Sequence, residues 1–342
     1  MLKKRSVTDY LKGKSLSDVE DDFNVSDTSI LNWVLEFANN LPNLSEVNKL
    51  FKLDKKNNWT GILLLDAKVV KTHEGNYVEL LAQDFTTRDL IGSIQADSET
   101  KEAYEELIAK VLESGYPLKA LVSDLKEGIV ALTQPRVEKK KLSRRYPRPT
   151  QNAEIESKPN IPKLYGIPHQ VCCIHVFREV RKLLKPNTTD LNSIRLRYLL
   201  HNVLFAKSLT SFKHRLKLLS RFEAKTEEQY KAIAKVTRNL NLISTHLILR
   251  SKKDKKDRLY IPNSTNLLES TISQFEERFK INRKFKTKAT AKDTFKLIAL
   301  NYRFHIMKKA KSKRRKGKSP IHLSGAKNLP KNFLSLIRAS VA

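Results

Sequence analysis

Apolar and polar positions change period several times along this chain. From "GILLLDAKVV" at Gly61 the pattern is that of extended structure, and it predicts strands over Gly61–Lys71, Asn76–Gln83 and Leu90–Gln95. A helical period follows from about Ser98 to Leu112, with Ala103, Leu107 and Val111 on one stripe. "PLKALVSD" predicts a short strand ending in Asp124, "LKEGIVAL" a short helix, and "HQVCCI" a fifth strand leading into the helix "HVFREVRKLL". Residues 189–250 are helical almost throughout. A further helix begins near Asn266 and carries the stripe Leu268, Ile272, Phe275, Phe279.

The first forty residues predict a helix over about Leu16–Phe23 and a second from about Asp27, with Ser26 or Asp27 as its cap. The apolar stripes are Leu16, Val19 and Phe23, then Ile30, Trp33, Val34 and Phe37. Two short helices so spaced resemble a helix-turn-helix, whose second helix would offer Thr28, Ser29 and Asn32 to DNA. The alternative is an ordinary helical hairpin, because "DVEDD" is acidic and faces DNA poorly.

Three strands, helix, strand, helix, strand, helix is the element order of a ribonuclease-H-like α/β domain. Here the order is interrupted by an all-α insertion before the last helix. The expected divisions are a DNA-binding unit over 1–40, a polar linker over 41–58, and the first part of the catalytic domain over 59–175. The helical insertion then spans 176–262, the last catalytic part 263–306, and a basic tail 307–342. Residues 136–168, basic and then Pro-rich, read as a surface excursion.

Charge narrows the partners. The chain has 342 residues, 66 Lys and Arg against 36 Asp and Glu, and a formal net charge of +30. An excess of that size repels itself unless a polyanion shares the surface, so nucleic acid is the leading partner. An anionic membrane is the alternative, but no window approaches the ~18 apolar residues of a spanning helix. "MLKKRSVTDYL" also lacks a signal-peptide core. The expected location is therefore the cytoplasm, at the nucleoid, in a prokaryote and the nucleus in a eukaryote. The best phosphate-contact candidates are Arg144, Arg145, Arg148 and the run Lys313, Arg314, Arg315, Lys316, within "KKAKSKRRKGK". The same run would also serve as a nuclear-localisation signal.

Two cysteines, Cys172 and Cys173, exclude a disulfide framework and a four-cysteine zinc site. A zinc reading of Cys172 and His175 would need His169 and Cys173 to complete four ligands. Cys172 is otherwise expected to be a buried strand residue and His175 a hydrogen-bonded residue near the catalytic pocket.

Carboxylates carry the chemistry. Asp66 lies in a strand apolar on both faces, expected to be central and buried, where an unpaired charge is costly. Asp124 stands at a strand-to-helix junction and, alone, could be an N-cap in a capping box with Glu127. Two carboxylates converging beside a sheet repel one another unless a cation neutralises them. Hard oxygen ligands suit Mg²⁺ or Mn²⁺, and a third acid would let two ions sit ~3.5–4 Å apart for in-line phosphodiester displacement. Glu179 and Glu269 compete for that third place. The apolar face of its helix turns Glu179 to solvent, whereas Glu269 borders the packed stripe and could otherwise box with Asn266 as cap. Glu156 is disfavoured by its Pro-rich, polar surroundings.

"LLLDAKVVKT", "ALVSDLKEGI", "QVCCIHVFREVRKLL" and "TNLLESTISQFEERFK" follow one another as in Mutator-like transposases and the related bacterial insertion-sequence transposases, which this chain resembles. The first acid of that family lies in a strand, as Asp66 does. Its "SDxxxG" segment is matched by Ser123, Asp124 and Gly128, its C/D-x-x-H motif by Cys172 and His175, and its "TNxxE" by Thr265, Asn266 and Glu269. The resemblance implies a DDE-type DNA transposase that holds two Mg²⁺ (or Mn²⁺) ions on Asp66, Asp124 and Glu269. It selects Glu269 over Glu179, gives Cys172 and His175 supporting roles, and implies action on double-stranded DNA as a homodimer or higher oligomer. The chain departs from the family in its long 136–168 excursion and in having no Trp in the helical insertion. Phe205, Phe212, Phe222 or Tyr230 would have to replace that aromatic. The rival readings are a ribonuclease-H-like nuclease without transposition and a transposase-derived DNA-binding protein without catalysis.

Overall fold

A computed structural model describes residues 2–134, 164, 166–281 and 285–339, with the side chains of 280–281 and 337–339 left aside. It is a mixed α/β protein. Strands β1 (Ile62–Thr72), β2 (Gly75–Asp84), β3 (Leu90–Ala96), β4 (Ala120–Ser123) and β5 (His169–Val171) form one mixed sheet in the order β3-β2-β1-β4-β5. The chain divides into two compact units. The first comprises Met1–Glu99, Glu106–Lys119 and Asn266–Ala342, the second Thr100–Glu105 and Ala120–Thr265.

The first unit is built on the antiparallel β1–β2–β3 meander, with Asp66 opposite Leu81 and Leu81 opposite Ser93. Gly61 leads into β1 at φ +81°, and a Cβ there would meet the Pro117 carbonyl oxygen at 2.2 Å. Only glycine tolerates both conditions. The helix α5 (Lys101–Glu113) starts three residues later than its pattern predicted, because Thr100 Oγ1 accepts the Ala103 N–H at 3.2 Å and marks the N-terminus. Leu107 and Val111 press against Gly92 on one face of β3.

Helices α1 (Leu2–Lys12), α2 (Leu16–Phe23), α3 (Asp27–Asn40) and α4 (Leu44–Leu50) precede the sheet. Ser15 and Asp18 form a capping box on α2, and Ser26 caps α3. The helix α1 was not foreseen; Val7, Tyr10 and Leu11 bury a narrow stripe within a charged segment and pack on α2 and α3. Nor is the stretch after α3 merely a polar connection. Asn43 and Glu46 make a reciprocal capping box there, and α4 lays Leu44, Val47 and Asn48 into the core beside β3.

Helices α12 (Asn266–Ile281) and α13 (Lys288–Phe304) complete this unit, and α3 packs on α13. Arg303 is fully buried. It meets both carboxylate oxygens of Asp89 (Nε 2.8 Å, Nη2 2.9 Å), the Asn48 side chain (2.6 Å) and the Leu44 carbonyl (3.0 Å). Asp84, also fully buried, accepts from Thr60 (N and Oγ1), Tyr116 Oη, Thr86 N and Thr87 (N and Oγ1). The basic C-terminal segment is folded: α14 (Pro320–Leu323) and a 3-10 helix over Phe333–Ala339 bury Ile321, Leu323, Phe333, Leu334 and Leu336.

In the second unit, β4 and β5 pair in parallel and are followed by helices α6 (Glu127–Thr133), after β4, and α7 (Cys173–Leu183), after β5. Then come α8 (Leu191–Leu204), α9 (Leu209–Leu219), α10 (Glu227–Thr237) and α11 (Leu240–Arg250). One core holds them, including Val176, Val180, Leu200, Val203, Phe212, Val236 and Ile243. Asp190, Ser208 and Thr226 cap α8, α9 and α10. Strand β5 spans three residues, two shorter than "HQVCCI" suggests, and α11 docks on it through side chains. Gln170 Nε2 donates to the Ile243 carbonyl (3.0 Å), its Oε1 accepts from His246 N (2.8 Å), and Thr245 Oγ1 donates to the His169 carbonyl (2.7 Å).

Candidate functional site

Asp66 sits midway along β1, the middle strand of the sheet order. Alternation places Asp66 on one face with Leu64, Lys68 and Val70. That face is the one α12 covers. Thr271 on α12 accepts from Gln83 at 2.9 Å, and Gln83 lies opposite Leu64; further along, Lys68 pairs with Glu276, and Phe279 and Phe285 pack on Val70. Helix α12 therefore runs alongside β1 in the same direction. Glu269 stands in its first turn, where the helix dipole favours a negative charge. Asp66 and Glu269 thus belong to two elements packed on each other within one unit.

Asp66 is half-buried rather than enclosed, since burial is complete from Ile62 to Leu65 and then relaxes. Its Oδ1 accepts the Ala67 N–H at 2.8 Å. Glu269 is also half-buried, while Leu268, Ile272 and Phe275 take the core positions expected of the stripe. Asn266 is the first residue of α12, one position too late to be its cap, so the Asn266 capping box does not form.

In the second unit, Asp124 directly follows β4 and is half-buried. It is not an N-cap, because α6 starts at Glu127 behind Lys126, which makes no side-chain capping bond. Beside it lies His169, which the sequence reading considered only as a zinc ligand. Its Nε2 is 2.8 Å from Ser123 Oγ and its Nδ1 2.8 Å from Thr133 Oγ1, while Ser123 Oγ donates to the Asp124 carbonyl at 2.8 Å. Burial pushes the His169 ring down to about 4, so it is neutral at pH 7 and links β4, β5 and α6 by hydrogen bonds.

Cys172 lies just past β5, at the N-cap position of α7, and not in the strand. Extension of the strand stops there because Cys172 N donates to Ser123 O (2.6 Å) while Cys173 N turns to Asn263 O (2.8 Å). Thr265 N donates to Cys172 Sγ at 3.4 Å. Burial opposes ionisation of this thiol, but hydrogen bonds from the His175 and Thr265 side chains outweigh it and hold the group below its ordinary value. Thr265 is also the residue that leads into α12, four positions before Glu269. His175 Nε2 accepts from Arg178 at 3.1 Å. The zinc quartet fails on geometry: both ring nitrogens of His169 are engaged by hydroxyls, and burial drives the Cys173 thiol well up. Glu179 projects to Lys182 (2.7 Å) and Lys235 (3.8 Å), which lower its pKa on the solvent side of α7.

Of the DNA-contact candidates, Thr28 and Asn32 are exposed on α3, while Ser29 is tied to Ser26 Oγ. Lys313, Arg314 and Lys316 are exposed and Arg315 is half-buried. Arg144, Arg145, Arg148 and Glu156 lie outside the described residues. Among the insertion aromatics Phe212 is core, Phe205 packs on Phe177 and His201, and Phe222 is partly buried; Tyr230 is 60% exposed and so the one of the four open to a ligand. Among the described residues no helix is long and apolar enough to cross a membrane.

No protein-family model matches the sequence, and no curated protein matches it significantly.

Proposed function

We propose that this chain is a metal-dependent DNA transposase with a split ribonuclease-H-like catalytic domain. The observation that carries the reading is the packing of α12 along β1, which sets the helix bearing Glu269 against the strand face bearing Asp66. The sheet supports it: three antiparallel strands, then a parallel pair, with the first acid in the middle strand and the second directly after β4.

Asp66, Asp124 and Glu269 would hold two Mg²⁺ or Mn²⁺ ions. Hard carboxylate oxygens suit those ions, and half-burial of all three groups fixes their backbones while leaving oxygens accessible. When bound, such a pair supplies Lewis acidity for in-line displacement at phosphorus. The protein's own groups divide the remaining work. Cys172 and Thr265 fix the entry to α12, and the His169 bridge fixes the end of β4 at Asp124. His175 would orient phosphate or water. Exposed Thr28, Asn32 and the basic loop would hold double-stranded DNA, on which a homodimer or larger assembly would bring two ends together.

Mg²⁺-dependent cleavage of an oligonucleotide carrying an element end tests this reading. Cleavage and strand transfer are expected from the native chain, with loss in Glu269→Ala and retention in Glu179→Ala. Cleavage without strand-transfer products would indicate a nuclease, and binding without cleavage a DNA-binding protein. Equal activity of Glu269→Ala and the native chain would overturn the assignment of the third acid.

A further inference from the structure

In the first unit, α12, the end of α13 and residues 305–320 enclose a cavity of about 750 Å³, within the range that accepts a nucleotide-sized ligand. Arg88, Arg278, Arg315 and three lysines line it, against the single carboxylate of Glu277. Its floor is apolar: Phe275 and Tyr302 meet edge to face at 5.6 Å, and Ile306 is left 49% exposed among cations.

Arg88 is placed there by construction. Its backbone is left-handed (φ 59°), a conformation costly for arginine. Its N–H donates to Asp84 O at 3.0 Å, and its carbonyl accepts from Gln83 Nε2 and Tyr302 Oη, each at 3.0 Å. The next residue, Asp89, is locked to Arg303. Arg315 is brought opposite by a closed loop, in which Met307 N donates to Lys318 O (3.0 Å) and Gly317 N to Met307 O (3.2 Å). Burial and then the charge of Arg315 both disfavour the ionised form of Arg88. Among the described residues neither arginine pairs with a carboxylate. Two guanidiniums held in mutual repulsion over an apolar floor call for an anion that also carries an apolar part.

We propose that this pocket binds a single-stranded segment of nucleic acid, with a backbone phosphate between Arg88 and Arg315 and the sugar and base against Tyr302 and Ile306. A duplex would satisfy the cations but hides its bases, so the floor favours an unpaired strand. The inference shares the nucleic-acid partner of the transposase reading but none of its acids, so the test is run in EDTA.

The experiment is fluorescence anisotropy of the full chain with a labelled oligothymidylate, repeated over a series of salt concentrations. Arg88→Gln/Arg315→Gln is expected to bind at least about tenfold more weakly, with a salt slope shallower by about 1.4, from ~0.7 per lost phosphate contact. Ile306→Ser should weaken oligothymidylate but not duplex binding. Lys309→Glu on the rim repeats the test without disturbing the pinned turn, and Lys255→Gln/Lys256→Gln, in the other unit, should change nothing. Unaltered affinity and slope in both pocket variants would overturn the proposal. So would a pocket that prefers inorganic pyrophosphate to the oligonucleotide, or one that binds duplex and single strand alike and ignores Ile306→Ser. Because Glu269→Ala leaves this pocket intact, failure of cleavage and failure of strand binding are separable results.

Discussion

Arg303 and Asp89, 214 positions apart in the chain, form an ion pair with both side chains wholly out of contact with solvent. The pair joins α13 to the β2–β3 turn, and Asn48 draws α4 into the same contact. Removing one partner strands the other charge in the interior, which costs about 3–5 kcal/mol. Asp89→Asn should therefore lower the denaturant midpoint sharply. Arg303→Met added to Asp89→Asn should recover part of the loss, because no lone charge then remains. A double variant worse than the sum of the singles would contradict this account.

Acid should loosen the second unit through two histidines. Burial holds both His169 and His246 at about 4, against about 6.5 for a free imidazole. Above pH 6.5 both are neutral folded or unfolded and contribute no slope. As pH falls from 6.5 towards 4 the unfolded chain takes up protons that the folded chain refuses, so stability declines and levels off below about 4. The limiting slope for His169 is about 1.4 kcal/mol per pH unit. His169→Gln should flatten the stability profile between pH 4 and 6.5, measured by urea unfolding.

Glu79 acts in the opposite direction. Burial raises its carboxyl to about 8, against the weaker opposing effects of a hydrogen bond from Ser93 and the charge of Lys292. The folded chain keeps this proton after the unfolded chain has lost it near pH 4.5. Stability from this site is complete below pH 4.5 and is lost as pH climbs to about 8. Glu79→Gln should remove that decline and be the more stable protein at pH 8 by thermal melting.

Gln170 should be more sensitive than an uncharged residue ordinarily is. It is fully buried and bonds to Ile243 O, His246 N and His246 Nδ1. Gln170→Leu leaves those groups without partners, at about 1–3 kcal/mol for each one left unsatisfied. The expected result is a loss concentrated in α11 and β5, visible as faster amide exchange there than in β1 and β2.

Much of this was legible beforehand, for identifiable reasons. The boundaries of β1, β2 and β3 follow the alternation of Leu, Val and Ile within one residue at most positions, and the Leu268–Phe275 stripe sets the orientation of α12. The rest depends on partners remote in sequence. Arg303 looks like a surface cation until Asp89 and Asn48 surround it. The helix α4 hides in a polar stretch because its caps are polar and its apolar face is narrow. Cys172 leaves the strand because Ser123 and Asn263 claim the two neighbouring amides. The folding of the basic loop 307–318 depends on main-chain bonds that no side-chain pattern announces. At the candidate site the carboxylates stand out by type and spacing, whereas His169 carries no local signal beyond a polar residue opening a short strand.

The seam between α11 and β5 also limits how this protein can be re-engineered. Its helices read as a cassette that could be trimmed or exchanged, yet Gln170, Thr245 and His246 stitch the cassette's last helix to the strand that ends at Cys172. A graft from another chain would have to bring matching stitches, or it would unpick the neighbouring strand along with the piece it replaced.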